Sequence, residues 1–303
     1  MTGARQGSAA VHRRPRRSRG LWAIPFMIPA AGFVIAIIIV PSVRGTVYSF
    51  SDWDGLSAGW NFVGLDNFAR LIGDQLAIDS FRQTLLLTVV TTVAMNVLGL
   101  ALALALNTRI RTKGILRVVF FAPVIITPVI IANLWRYLLL PEGPVNGLLR
   151  AIGLEALTQP WLGNSDTAIW AVMGTIVWQF TGIAMVIYLA GLQNVPAEVV
   201  EAARMDGAGS WRVFLHITLP ELRPAAVITS LLLLIGGLKS FDQVWVLTQG
   251  GPGTSTHTLS TAQYQVTFLF GDYAYGATFA VAIAVLAIAI AVIQQIVAGR
   301  RGR

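Results

Sequence analysis

The chain has 303 residues, 55% of them hydrophobic and only 12% charged, with a formal net charge of +8. Soluble domains carry roughly 25% charged residues, so this deficit, with a mean hydropathy of +0.68, excludes an ordinary soluble domain and points to a membrane. The absence of cysteine excludes disulfides and thiolate chemistry. The basic residues gather at the ends and in short loops, a pattern that sets topology and argues against nucleic acid.

Residues 1–20 carry Arg5, Arg13, Arg14, Arg16, Arg17 and Arg19 among Gly, Ser and Ala, with no apolar period. They read as a disordered basic arm, and residues 21–303 as a transmembrane domain. The first span covers about 21–41. It is longer than a signal-peptide core and lacks a small-x-small cleavage site, so it reads as uncleaved. A polar, aromatic loop follows, in which Asp52 and Asp54 read as solvated or capping groups rather than a catalytic dyad.

The second span, about 84–106, repeats Thr84, Thr88, Thr92 and Asn96 at four-residue steps, near one face. Either the threonines bond back to their own helix or they face protein or a water-filled path. The third span, about 116–139, contains Pro123 and Pro128, which a membrane helix tolerates where neighbours satisfy the freed carbonyls. The fourth, about 167–192, carries Thr175, Trp178, Gln179 and Gly182 as a polar or small stripe. A mid-depth glutamine must face protein or water. Asn96, Trp178 and Gln179 are therefore candidates for a solute path, with helix–helix packing as the competing reading of each.

A long polar loop, 193–223, separates the fourth and fifth spans and reads as two short helices. Pro196 suits a first helical turn. Glu198, Glu201 and Arg204 share one face, while Val199, Ala202 and Ala203 lie on another. Asp206-Gly207 breaks the helix, Ser210 caps the next, and Pro220 ends it. The loop is either an amphipathic element resting on lipid headgroups or a docking element for another protein. The fifth span, about 225–246, includes Lys239 and Asp242, spaced to pair on one helix face. The sixth, about 276–297, has a small-residue seam at Ala280, Ala284, Ala287 and Ala291.

Six spans and the excess of Arg and Lys in alternate loops put both termini and the loop 193–223 in the cytoplasm. Metal-ligand spacing, nucleophile motifs and phosphate loops are missing from the sequence. So are the mid-depth acids that ion-coupled transport requires. An embedded enzyme or scaffold, or a secondary transporter, thus lacks its working groups. A solute mover of this composition draws its energy from elsewhere.

Glu201-Ala-Ala-Arg-Met-Asp-Gly207, followed by Ile217-Thr-Leu-Pro220, resembles the EAA motif of permease subunits in ATP-binding-cassette importers. Phe62-Val-Gly-Leu-Asp-Asn-Phe68, Trp135 with Gly143 and Asn146, and Val246-Leu-Thr-Gln-Gly-Gly-Pro-Gly253 resemble the branch that takes up maltose or glycerol-3-phosphate. The resemblance covers about residues 20–298. It departs at Gln249, where the family more often has glycine. It implies an all-α type I importer fold of six transmembrane helices in a bacterial or archaeal cell membrane. It also implies a cytoplasmic coupling helix formed by Glu201, Ala202, Ala203, Asp206, Gly207, Leu219 and Pro220. ATP would be bound by a partner, and this chain would need no cofactor or metal. The implied partners are a second homologous permease, two ATPase subunits, an extracytoplasmic solute-binding protein and a sugar-like solute.

Overall fold

The computed structural model describes residues 24–108 and 111–300. The basic arm of residues 1–20 and Arg109 lie outside them. The chain divides into two compact units, Met1–Val47 and Tyr48–Arg303. Every described element is helical apart from one bridge between Ser51 and Phe62.

In the first unit, α1 begins as Ile24–Val34, passes through a π-turn at Ile35–Ile39 and continues as Val40–Tyr48. The π-turn pairs the Val40 N–H with the Ile35 carbonyl just before Pro41. A wider turn re-pairs the ladder where proline supplies no N–H. Ser42 and Thr46 then bond back to Ile38 and Ser42 carbonyls at 2.7 and 2.9 Å. The span therefore runs past its expected end at residue 41.

The second unit is built on α3 (Gln75–Leu106) and α7 (Ser165–Gln193), the two longest of its inner helices. Short α2 (Asp66–Gly73) precedes them. Lipid tails are as apolar as leucine, so burial does not drive helices together in a bilayer; close contact and hydrogen bonds do. Gly99 of α3 meets Ala184 of α7 so closely that a Cβ there would collide with that methyl group. Around this contact Leu87, Met95, Val172, Met173, Met185 and Tyr188 are buried. The threonine face of α3 is buried too, and at Thr84 both readings hold together, whereas the Thr88 and Thr92 hydroxyls make no hydrogen bond. Thr84 donates to Ser80 O at 2.7 Å and accepts from the Leu259 N–H at 2.8 Å. Thr91 donates to Leu87 O.

The expected third span is broken. α4 (Lys113–Ile125) and α5 (Pro128–Leu138) meet at 98°. Pro128 opens α5 and drives Thr127 into the extended region, at ψ 141°. The expected fifth span is broken as well: α10 (Arg223–Leu238) stops before Lys239, and α11 (Asp242–Thr248) starts afresh. Between the α5 and α7 positions lies α6 (Pro144–Ala151). Among the described residues, four helices are long and apolar enough to cross a membrane, and up to six if each bent pair forms one span. The second bent pair joins α10 to α9, Ser210–Glu221, at 63°.

α12 (Leu259–Tyr264) runs through a π-turn at Gln265–Leu269 toward α13 (Tyr273–Arg300). α13 packs through Tyr275, Phe279 and Ile283. The alanine seam lies one step round the helix, and Ala284 is exposed.

Candidate functional site

The loop 193–223 contains α8 (Ala197–Met205), in which no residue is buried. Pro196 stands just outside it, as the N-cap, with ψ at 121°. The C-terminus is closed by a Schellman motif. The Gly207 N–H bonds Arg204 O at 3.0 Å and the Ala208 N–H bonds Ala203 O at 2.9 Å. Gly207 takes φ +83°, which a side chain would strain. Gly209, not Ser210, caps α9. Pro220 does not end that helix: a π-turn at Phe214–Thr218 pairs the Leu219 N–H with Phe214 O, and helix continues through Glu221. This is the same device seen before Pro41, and the true turn comes at Leu222, ahead of Pro224.

Glu201, Ala202, Asp206, Gly207, Leu219 and Pro220 are exposed and Ala203 is half-exposed. Glu201 and Arg204 border a cavity of about 370 Å³ between α8, α9 and the ends of α3 and α7. Val199 and Met205 are exposed large apolar side chains, as is Trp211, which lies tilted against Phe214 at 5.6 Å. The loop is held firmly at its base. Val213 and Leu222 are buried, and a Cβ on Gly191 would press on Ala225 and Leu222, so α7 and α10 touch where the loop leaves them. The loop thus combines a firmly packed base with an exposed helix.

The proposed solute-path residues do not converge. Gln179 is fully buried. Its Nε2 donates to Ile126 O at 2.9 Å, and its Oε1 accepts from Gln243 Nε2 at 2.9 Å. It therefore caps the carbonyl freed by the break between α4 and α5 and ties that break to α11. Asn96 donates to Thr92 O at 2.8 Å and accepts from Tyr188 Oη at 2.7 Å. Trp178 is half-exposed and meets Trp135 edge-on at 5.6 Å. The amides are engaged by protein, which is the packing alternative.

The expected ion pair between Lys239 and Asp242 is not formed. Among the described residues, salt bridges join Arg70 to Asp272 and Arg150 to Glu142, and none joins Lys239 to Asp242. The reason is the break: Lys239 is the C-cap of α10 and Asp242 opens α11. Each charge thus sits at the helix end whose dipole favours it, cation at a C-terminus and anion at an N-terminus. Both are exposed and line a second cavity of about 370 Å³ with Phe180, Gly236, Ser240 and Phe241. Sequence spacing on one imagined helix concealed this pocket. The Lys-Ser-Phe-Asp interruption of an apolar run was the available signal.

At the bundle end opposite Glu201, the loops interlock. Asp54 accepts from the N–H groups of Leu56 and Ser57 and from Ser57 Oγ, which holds its carboxyl down at about 2. Asn61 bonds similarly keep Asp52 below its ordinary value. Burial lowers the pKa of His257, whose ring lies against Gly250. Gln249 takes φ +53°, the one non-glycine position beyond φ zero among the described residues.

Residues 95–303 match the family described as binding-protein-dependent transport system inner membrane component. A probable ABC transporter permease of Pyrococcus horikoshii, PH1215, is 36% identical over 91% of this chain and 95% of its own length. The multiple sugar-binding transport system permease protein MsmF of Streptococcus mutans is 32% identical over 90% of this chain and 93% of its own. In fold, the chain is similar to a bacterial ABC transporter involved in import of the acidic polysaccharide alginate. The TM-score is 0.81 at 22% identity, over 93% and 96% of the two chains. The chain belongs to the binding-protein-dependent transport system inner membrane component family. It is a multi-pass transport permease subunit of the ABC class, with the type I importer permease fold.

Proposed function

We propose that this permease, with a second homologous permease, forms the path for a sugar or sugar-like solute, and that two ATPase subunits drive it through the Glu201 loop. The observation that carries this reading is α8, a capped helix with no buried residue on a firmly packed base. Glu201 offers a carboxylate beside Ala202 and Ala203, whose small side chains allow close approach of a partner backbone. Asp206 and Gly207 close the helix, and Leu219 and Pro220 add exposed apolar surface on α9. A lever of this kind moves the spans when its partner closes.

The sugar assignment rests on relatives. One is named for multiple sugars, and another, LacF of Rhizobium radiobacter, is a lactose transport system permease protein 33% identical over 91% of this chain. One neighbour in fold comes from a complex with an alginate pentasaccharide-bound periplasmic protein, which favours a solute-binding protein as a further partner. ATP sits on the ATPase subunits, and both termini lie in the cytoplasm of a bacterial or archaeal cell. The solute passes the pocket at the break between α10 and α11, where Lys239, Ser240 and Asp242 supply unpaired polar groups.

The test is Glu201→Lys and, separately, Gly207→Val, in cells expressing the whole importer. Insertion is expected to be normal, with the ATPase subunits lost on purification and uptake of labelled sugars abolished. Retention of uptake in both variants overturns the coupling role. Because the chain has no cysteine, a single Ala202→Cys variant reports sidedness: labelling by an impermeant maleimide in inverted vesicles, but not in intact cells, is expected.

A further inference from the structure

From Ala284 to Val297 no residue of α13 is buried. α10 is fastened on a different side. Ala225, Thr229, Leu233 and Gly237, at four-residue steps, are buried, and Gly237 closes on Thr88 of α3. Ala226, Ser230 and Leu234 recur at the same steps one position round the helix and stay half-exposed. Between that stripe and α13 lies a cavity of about 310 Å³, with Arg223 at one end and Gln294 and Val297 on the facing wall. It shares no lining residue with the pocket at Lys239. A polar link crosses it, from Gln294 Nε2 to Val227 O at 2.7 Å.

We propose that this groove binds one anionic phospholipid, of the phosphatidylglycerol type, from the leaflet on the Glu201 side. Its phosphate lies at Arg223 and an acyl chain runs toward Leu234. Calling that leaflet cytoplasmic rests on the orientation proposed above; the lipid site itself does not depend on the solute.

Three observations carry it. First, the order of chemistry along the groove is that of a phospholipid. A cation stands at the mouth, the Ser230 hydroxyl and the Gln294 amide come next, and Leu234 lies farthest in. Second, the length fits. The eleven-residue rise from Arg223 to Leu234 is about 16 Å, one leaflet's share of a hydrocarbon core about 30 Å thick. Third, the donors match the acceptors a phospholipid brings. A guanidinium presents a fork of N–H groups that fits phosphate oxygens. Arg223 also opens α10, after the 63° bend from α9, and a helix start favours an anion. Gln294 Nε2 carries two hydrogens and Val227 takes one, so the second is left for an ester carbonyl. A water-filled path would be polar to its end, whereas this groove turns apolar at Leu234.

The experiment reconstitutes the complete importer in vesicles doped with phosphatidylglycerol or phosphatidylcholine carrying a photoactivatable diazirine on one acyl chain. Adducts are mapped by mass spectrometry. In wild type, the phosphatidylglycerol probe is expected to label residues 227–234 about tenfold more than the phosphatidylcholine probe, the scale of one charge-assisted bond. Unlabelled phosphatidylglycerol is expected to compete, and inorganic phosphate is not. Arg223→Gln is expected to bring the two probes level, and Ser230→Trp, which fills the groove, to remove both labels. The wild-type competition stands even if a variant fails to assemble. No label in wild type means that another subunit or water occupies the groove, and overturns the proposal. Equal labelling by both probes makes it a greasy cleft without a headgroup site, and overturns it too. So does competition by inorganic phosphate, which makes Arg223 a free-anion site. Uptake is not measured, so none of these results bears on the coupling role of the Glu201 loop.

Discussion

The two ends of the helix bundle are finished differently. Away from Glu201, side chains close on one another across long sequence distances. Arg70 pairs with Asp272 at 2.6 Å and lies over the Tyr275 ring, Tyr275 bonds Asp74, and Thr254 bonds Asp79. Thr258 reaches Ser240 O at 2.9 Å while its neighbour Leu259 is held by Thr84. At the Glu201 end, α8 is closed by the Gly207 turn at its C-terminus, has no side-chain cap at Pro196 and no burial, and its charged groups join no ion pair among the described residues. One end ties many of its polar groups together across the chain, and at the other the charged groups of α8 make no ion pair among the described residues. That contrast separates stability from function by position.

Substitutions at the two ends therefore have opposite signatures. The largest functional effect is expected at the open end: Glu201→Lys abolishes uptake while the unfolding free energy of the purified chain stays within about 0.5 kcal/mol of wild type, as for surface changes. A large loss of stability there shows that α8 has internal partners after all, and breaks the contrast. In the interior, Gln179→Leu leaves Ile126 O and the Gln243 amide without their bonds. A cost of about 1–3 kcal/mol in thermal or denaturant unfolding in detergent is expected. A neutral result shows that the break between α4 and α5 holds itself.

At the closed end the expected effects are smaller and pH-linked. Burial favours neutral His257 in the folded chain, so its folded pKa lies below the unfolded value near 6.5. Its contribution is present above the unfolded pKa and is lost as pH falls from there through the folded pKa. Melting curves across this range are expected to lose stability on the acid side, with the slope reduced in His257→Gln. A slope that persists unchanged assigns the effect to another group. The smallest effect is a gain. Gln249 carries a side chain at φ +53°, and Gln249→Gly is expected to stabilise the closed end by about 1 kcal/mol. Destabilisation instead shows that the Gln249 side chain makes a contact worth more than its backbone strain.

Much of this arrangement is legible in the sequence, because hydropathy reports length and polarity reports interruption. The EAA stretch is readable since an exposed helix carries its own local signals, here the Gly207 turn and a run of polar groups. The breaks are harder. Thr127-Pro128 lies inside an apolar run, so composition reports one span while the backbone bends by 98°. The misplaced Lys239–Asp242 pair follows from the same blindness, since a helical spacing rule was applied across a helix end. Gln179 is readable as a residue needing a partner, but naming that partner requires knowing that the Ile126 carbonyl is free. The pocket draws on stretches far apart in sequence, from Thr91 to Asp242, and no window along the chain brings them together.

The contact of Gly191 with Ala225 and Leu222 has a further consequence. It clamps α7 and α10 where they leave the Glu201 loop, and the same two helices arrive at the pocket carrying Phe180 and Gly236. Two walls of that pocket thus share one rigid footing. The Gly99 contact with Ala184 and the Gly237 contact with Thr88 join α3 to the same footing, so a displacement there is expected to carry the Phe180, Gly236 and Thr91 walls together. A bulky side chain at position 191 would prise the walls apart at their root and leave the machine geared wrongly, with every surface for partner and solute still intact.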